Sequence, residues 1–136
     1  MKYFITLFIV AIMNKFIKGR IRSVKYALKG FYLLITTEHA IIAQLCIGAC
    51  FVVLGYCLGI SKTEWMLQTI ALGMVLSIES LNTAVEKVCD FIHPEFHDRI
   101  GFIKDISAGA FTFAAFTAFT VAAIIYFPYV MAYLSR

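Results

Sequence analysis

Three stretches of this chain, residues 39–60, 65–91 and 106–134, are long and apolar enough to cross a bilayer, which takes ~20 mostly apolar residues in a helix. No other feature constrains the fold as much. A segment in hydrocarbon has no water to bond its backbone, so it satisfies its N–H and C=O groups internally, as a helix. Composition agrees, with 62% of residues hydrophobic and 15% charged. At 136 residues the chain is a single domain, and three thin helices bury little against one another, so self-association is expected. The fold class is all-α integral membrane.

Ahead of the first span, residues 3–13 are apolar but too short to cross a bilayer. Only Lys2 precedes them and no small-residue cleavage site follows, which argues against a cleaved signal peptide. Residues 1–14 are read as an interfacial extension. Over 15–38 the pattern becomes amphipathic. Lys15, Lys18, Arg22, Lys25 and Lys29 share roughly an 80° arc, opposite Phe16, Ile17, Ile21, Val24, Leu28 and Phe31. That pattern predicts a helix lying in the membrane surface. Arg20 projects toward the apolar side, where snorkelling and a phosphate contact are equally open readings.

Charge sets the orientation. Residues 1–37 hold seven basic side chains and no acid, while the 61–64 loop holds only Lys62 and Glu64. The positive-inside rule puts the N-terminus and the 91–105 loop in the cytoplasm, with the C-terminus outside; the expected location is the cell inner (plasma) membrane, as a multi-pass protein. The net charge of +4 does not indicate nucleic-acid binding, because the basic residues hug membrane segments. Cys46, Cys50, Cys57 and Cys89 form no metal pattern and read as small packing residues. Gln44, alone among apolar neighbours, predicts an interhelical hydrogen bond. Gly55 and Gly59 form a small-xxx-small pair suited to close helix approach.

Six of the eight acidic residues lie between Glu79 and Asp105. Glu79, Asn82, Glu86 and Asp90 fall within roughly an 80° arc of one helix face. A carboxylate at membrane depth costs at least ~2.5 kcal/mol, so it normally faces protein or water and marks chemistry or transport. Glu79 lies seven residues deeper than Glu86, ~10 Å of helix rise. Glu38 sits where the surface helix meets the first span, and the chain must bring Glu86 back to that same boundary. Two carboxylates converging near a polyphosphate make a sensible Mg²⁺ site. P-loop, dinucleotide-binding, protein-kinase and serine-hydrolase signatures are missing from the sequence. What remains is the inventory of phosphoryl transfer: a base, a metal site and cations for the γ-phosphate.

Glu79-Ser80-Leu81-Asn82-Thr83-Ala84-Val85-Glu86-Lys87-Val88-Cys89-Asp90 closely resembles the signature of the prokaryotic diacylglycerol kinase and undecaprenol kinase family, Glu-x-x-Asn-Ser/Thr-Ala-x-Glu-x-x-x-Asp. Pro94-Glu95-Phe96-His97, Lys104-Asp105, Ser107-Ala108-Gly109-Ala110, Ala27-Leu28-Lys29-Gly30 and Glu38 match in register. The resemblance spans about residues 18–128. It implies a homotrimeric membrane lipid kinase with an N-terminal surface helix, three transmembrane helices per subunit, and active sites shared between subunits. It further implies ATP as co-substrate and Mg²⁺ as cofactor. By the same resemblance Glu79 is the general base on the lipid hydroxyl, Asn82 orients the catalytic group, and Glu38 and Glu86 are the metal ligands. Tyr26, Glu95, Phe96, His97, Lys104 and Asp105 belong to the ATP site. Arg20 or Arg22, Lys29 and Asp90 are further candidates.

The run His39-Ala40-Ile41-Ile42-Ala43 departs from the basic or polar residues that many members carry there. Ile60-Ser61-Lys62-Thr63-Glu64-Trp65, Ser107-Ala108-Gly109-Ala110 and Phe127-Pro128 look more like the undecaprenol branch than the diacylglycerol branch. A proton-coupled transporter would also use an intramembrane Glu, but it leaves Asn82, Glu86 and Lys104-Asp105 unexplained. A non-catalytic membrane subunit, with the acids as ordinary helix-end charges, is the remaining alternative.

Overall fold

A computed structural model describes the backbone of residues 2–135 and the side chains of residues 13 and 15–135. The described residues form four α-helices in two units, Met1–Thr37 and Glu38–Arg136.

The first unit is one helix, α1 (Lys2–Thr37). Its backbone has no break between the expected extension and the expected surface helix. The side chains of residues 1–12 and 14, on which the interfacial reading of the extension rests, lie outside the described residues. Phe16, Ile21, Val24, Leu28 and Phe31 form an apolar stripe that is exposed within this unit. Arg20 leaves the basic arc and places its guanidinium 5.1 Å from the Phe16 ring centroid, a cation–π contact. Arg22 instead shares a shallow recess with Lys18, Lys25 and Tyr26.

The second unit contains α2 (His39–Leu58), α3 (Lys62–Ile92) and α4 (Asp98–Leu134). Glu38 is the N-cap residue of α2, in extended backbone at φ −98° and ψ 105°. Gly59 ends α2 at φ +65°, a left-handed position that only glycine adopts without strain. Its Cβ position faces open space. Gly59 is therefore a cap, and the expected close approach falls to Gly55 alone. A Cβ on Gly55 would lie 2.9 Å from Ile60 Cδ1 and 3.1 Å from Tyr126 Oη. Gly48, which carries no pattern in sequence, meets α3 still more closely, because a Cβ there would lie 2.7 Å from Leu72 Cδ1.

Ser61 and Glu64 start α3 with a reciprocal capping box. The Glu64 N–H donates to Ser61 Oγ at 3.3 Å, and the Ser61 N–H donates to Glu64 Oε2 at 2.7 Å. α3 packs along α4 and against α2. Ile60, Ile125 and Tyr126 form an apolar cluster near the 59–61 turn, joined by Phe51, Trp65 and Val121. Within it the Tyr126 hydroxyl lies 2.9 Å from the Phe51 carbonyl and 2.6 Å from Gln68 Oε1, and its single proton serves one acceptor or the other. The Tyr129 hydroxyl donates to Glu64 Oε2 at 3.0 Å. Buried polar groups are costly unless paired, and these contacts pair them across all three helices.

Among the described residues, α2 and α4 are long and apolar enough to span a membrane. At 31 residues α3 is longer than α2, but Glu79, Glu86, Lys87 and Asp90 make its second half polar. Cys89 is buried as a packing residue, whereas Cys46, Cys50 and Cys57 lie exposed on α2.

Candidate functional site

The polar half of α3 holds the candidate site. Glu79 and Asn82 are each 7% exposed, Glu86 is half-buried and Asp90 is exposed. One helix face thus runs from sealed to open over three turns, the gradient expected from the 3.6-residue period. The Asn82 side-chain N–H donates to Glu86 Oε1 at 3.1 Å, an i,i+4 contact between the only amide and the middle carboxylate of that face. Glu79 Oε2 and Asn82 Oδ1 are buried and accept no hydrogen bond from any described residue. Buried oxygens without partners are uncommon and call for a ligand or a functional reason.

α2 contributes Gln44, whose side chain lies beside the Glu79 carboxylate and whose Oε1 is likewise buried without a partner. The interhelical contact expected of Gln44 is therefore made to the deepest acid of the site. Gln44 also lines an apolar cavity of about 290 Å³ between α2, α3 and α4, with Gly48, Leu72, Val75, Phe111 and Ala115 among its walls.

Glu38 reaches the same end of α3, where its Oε1 lies 3.1 Å from Lys87 Nζ. Glu38 is thus paired with the residue that follows Glu86, and the sequence pattern does not single out Lys87. A signal for it existed, since Lys87 lies inside the signature beside the expected partner of Glu38. Among the described residues there is no cluster of three or more His, Cys, Asp or Glu side chains suited to a metal ion. Mg²⁺ takes one or two carboxylates and completes its shell with phosphate oxygens and water, so the half-buried Glu86 and the half-buried Glu38 fit it without a larger cluster of protein ligands.

Beyond α3 the chain turns through residues 93–97. Glu95, Phe96 and His97 are exposed, with His97 Nδ1 accepting the Arg99 N–H at 3.2 Å as the N-cap of α4. One turn and a half into α4, Lys104 Nζ pairs with Asp90 Oδ1. Asp90 is thereby joined to the cation expected at the phosphates, across 14 residues of sequence. Asp105 is exposed beside it. Tyr26, Arg20, Arg22 and Lys29 belong to α1. Of the two arginines left open by sequence, Arg22 is the one that shares a recess with Tyr26.

The family described as "Prokaryotic diacylglycerol kinase" matches residues 25–126, three quarters of the chain. The chain belongs to this family. The undecaprenol kinase of Bacillus subtilis strain 168 is 28% identical over 116 residues, covering 85% of this chain and 91% of that protein. The diacylglycerol kinase of Haemophilus influenzae is 37% identical over 86 residues, covering 62% of this chain and 72% of that protein. Membership makes the chain a membrane-associated lipid kinase with a nucleotide co-substrate.

Proposed function

We propose that this protein transfers the γ-phosphate of ATP, with Mg²⁺, to the primary hydroxyl of a membrane lipid, with undecaprenol favoured over diacylglycerol. The observation that carries the reading is Glu79. It is a carboxylate 7% exposed, with an unpartnered oxygen, beside the Gln44 that lines the apolar cavity, on a helix face that grades through Asn82 and Glu86 to solvent. A lipid hydroxyl arrives from the apolar side and a nucleotide from the aqueous side, and this face is where they would meet.

Glu79 accepts the hydroxyl proton as the oxygen attacks the γ-phosphorus. The new P–O bond forms in line with the breaking bond to the β,γ-bridging oxygen, and ADP leaves. Asn82 holds Glu86 through its hydrogen bond. Glu86 and Glu38 are the carboxylates assigned to Mg²⁺, which when bound offsets phosphate charge. Lys104 balances charge that develops on the transferring phosphoryl group. Glu95, Phe96, His97 and Asp105 are assigned to the nucleotide, as are Tyr26 and, of the two α1 arginines, Arg22. The apolar cavity lined by Gln44 suits the hydrocarbon body that both candidate lipids carry.

The reading includes three transmembrane segments, 39–60, 65–91 and 106–134, an N-terminal surface helix, and a homotrimer with sites between subunits in the cytoplasmic membrane. Seven basic residues and no acid before residue 38 support a cytoplasmic N-terminus and site. The branch motif at 60–65 supports undecaprenol. Its relative matches along more of the chain, while the diacylglycerol kinase is the more identical of the two.

The test is transfer of labelled γ-phosphate in lipid vesicles, with undecaprenol and diacylglycerol offered separately and together. Glu79→Gln is expected to lower turnover by about 10²–10⁴-fold, the usual worth of a general base, with KM for ATP little changed. Normal turnover in that variant would remove Glu79 as base, and no transfer to either lipid by the folded wild type would overturn the reading.

A further inference from the structure

We infer that His93, which has no part in the chemistry above, is a positioning residue that holds the turn carrying Glu95 and His97; the inference rests on the assignment of that turn to the nucleotide. His93 is the C-cap residue of α3, its N–H donating to the Cys89 carbonyl at 3.0 Å. Pro94 follows and keeps His93 in extended backbone, φ −145° and ψ 94°. The side chain then folds back onto the turn. His93 Nδ1 lies 2.8 Å from the Glu95 carbonyl, and since a carbonyl oxygen only accepts, Nδ1 carries the proton and donates it.

The neighbouring imidazole has the opposite tautomer. His97 Nδ1 accepts the Arg99 N–H, so in its neutral form its proton is on Nε2. The two rings lie 5.3 Å apart, centroid to centroid, at 58°. His93 therefore bonds the turn at Glu95 and packs against it at His97, while its own backbone is fixed to α3. Packing of Phe96 does not hold the turn, since that side chain is 87% exposed. With the His93 imidazole removed, residues 94–96 are secured by the helix ends on either side and lose the bond at their centre. The consequence for the reaction is a nucleotide turn set before ATP arrives, which lowers the ordering cost of binding.

The full-length protein would be compared with His93→Ala, with His93→Asn, whose amide N–H stands in for Nδ1–H, and with Glu95→Ala. Two readouts are taken: amide hydrogen exchange over residues 95–99, and KM for ATP against kcat at saturating lipid. His93→Ala is expected to speed exchange in the turn and to raise KM for ATP by about 2- to 13-fold, the worth of one neutral hydrogen bond. Its kcat should stay within about twofold of wild type, and His93→Asn should restore most of both changes. Unchanged exchange in His93→Ala, failure of Asn to restore it, or a loss in kcat at constant KM would overturn the inference. A raised KM in Glu95→Ala with a normal KM in His93→Ala would overturn it alone. An unchanged KM in Glu95→Ala as well would remove the nucleotide assignment of the turn, and the role of His93 in the reaction with it.

Discussion

Asn82 offers the sharpest single perturbation of the site, because one hydrogen bond defines what it does. Its amide donates to Glu86 Oε1 at 3.1 Å, and both groups lie on one face of α3 with Asn82 buried. A hydrogen bond to a charged acceptor is worth about 1.5–3 kcal/mol, and a neutral one about 0.5–1.5 kcal/mol. At about 1.36 kcal/mol per decade, Asn82→Ala is expected to slow phosphoryl transfer by about 10- to 150-fold where Glu86 carries its charge. In a Glu86→Gln background the acceptor oxygen remains but the charge is gone, so the same substitution should cost only about 2- to 13-fold.

The assay is the double-mutant cycle on kcat/KM for ATP, with each variant checked for folding by thermal melting in the same detergent. Coupling between the two positions is the quantity that matters, since it cancels what each substitution does alone. An equal fold-loss in both backgrounds would mean that Asn82 acts independently of Glu86, and the orienting role assigned to it would fail. A loss confined to KM for the lipid would refute the reasoning in a different way, by moving Asn82 to the substrate side of the face.

Two further outcomes follow from groups away from the chemistry. Tyr126→Phe removes the hydroxyl that reaches Phe51 and Gln68 and should destabilise the protein by about 1–3 kcal/mol, read as a lower melting temperature with the specific activity of the folded enzyme unchanged. The Glu64 carboxyl is held below its ordinary 4.5 first by the Ser61 hydroxyl, then by the Ser61 N–H and the Tyr129 hydroxyl. Its folded value lies below its unfolded one, so this stabilisation is present above about pH 4.5 and is lost as pH falls through the lower folded value. The melting temperature should drop on acidification below pH 4.5 more steeply in wild type than in Glu64→Gln, and parallel curves would refute the capping role.

What the sequence makes legible here is what has a period. Apolar runs place α2 and α4, and the 3.6-residue repeat puts Glu79, Asn82, Glu86 and Asp90 on one face before any coordinates are known. Glu38 reads as a boundary residue because the chain must return there. Contacts between positions far apart in sequence carry no such signal. Lys104 is bonded to Asp90 across 14 residues and a turn, and Tyr126 finds Gln68 across 58. In each case the partner is chosen by how two helices lie against each other. Glycines show the same limit, since the spacing that links Gly55 with Gly59 cannot tell a packing position from a cap. Only the +65° φ at Gly59 and the near neighbours of Gly55 separate them.

The polar half of α3 carries one physical argument further. Tyr126, Gln68 and Phe51 occupy a buried polar cluster near the 59–61 turn, where the visible bonds pair the groups and lock three helices together. Glu79, Asn82 and Gln44 occupy a buried polar cluster near the other end, where an oxygen of each accepts nothing from the described residues. Both sets lie among apolar helices and face the same desolvation cost. A purely structural cluster gains by pairing every group, as the first one does. The second retains unpaired acceptors where α2 meets α3, beside the cavity and above the half-buried Glu86. That asymmetry leaves the proposed base an oxygen free to take a proton, and it is the physical reason the proposed catalytic end of α3 is assigned to Glu79 rather than to the end at Gln68.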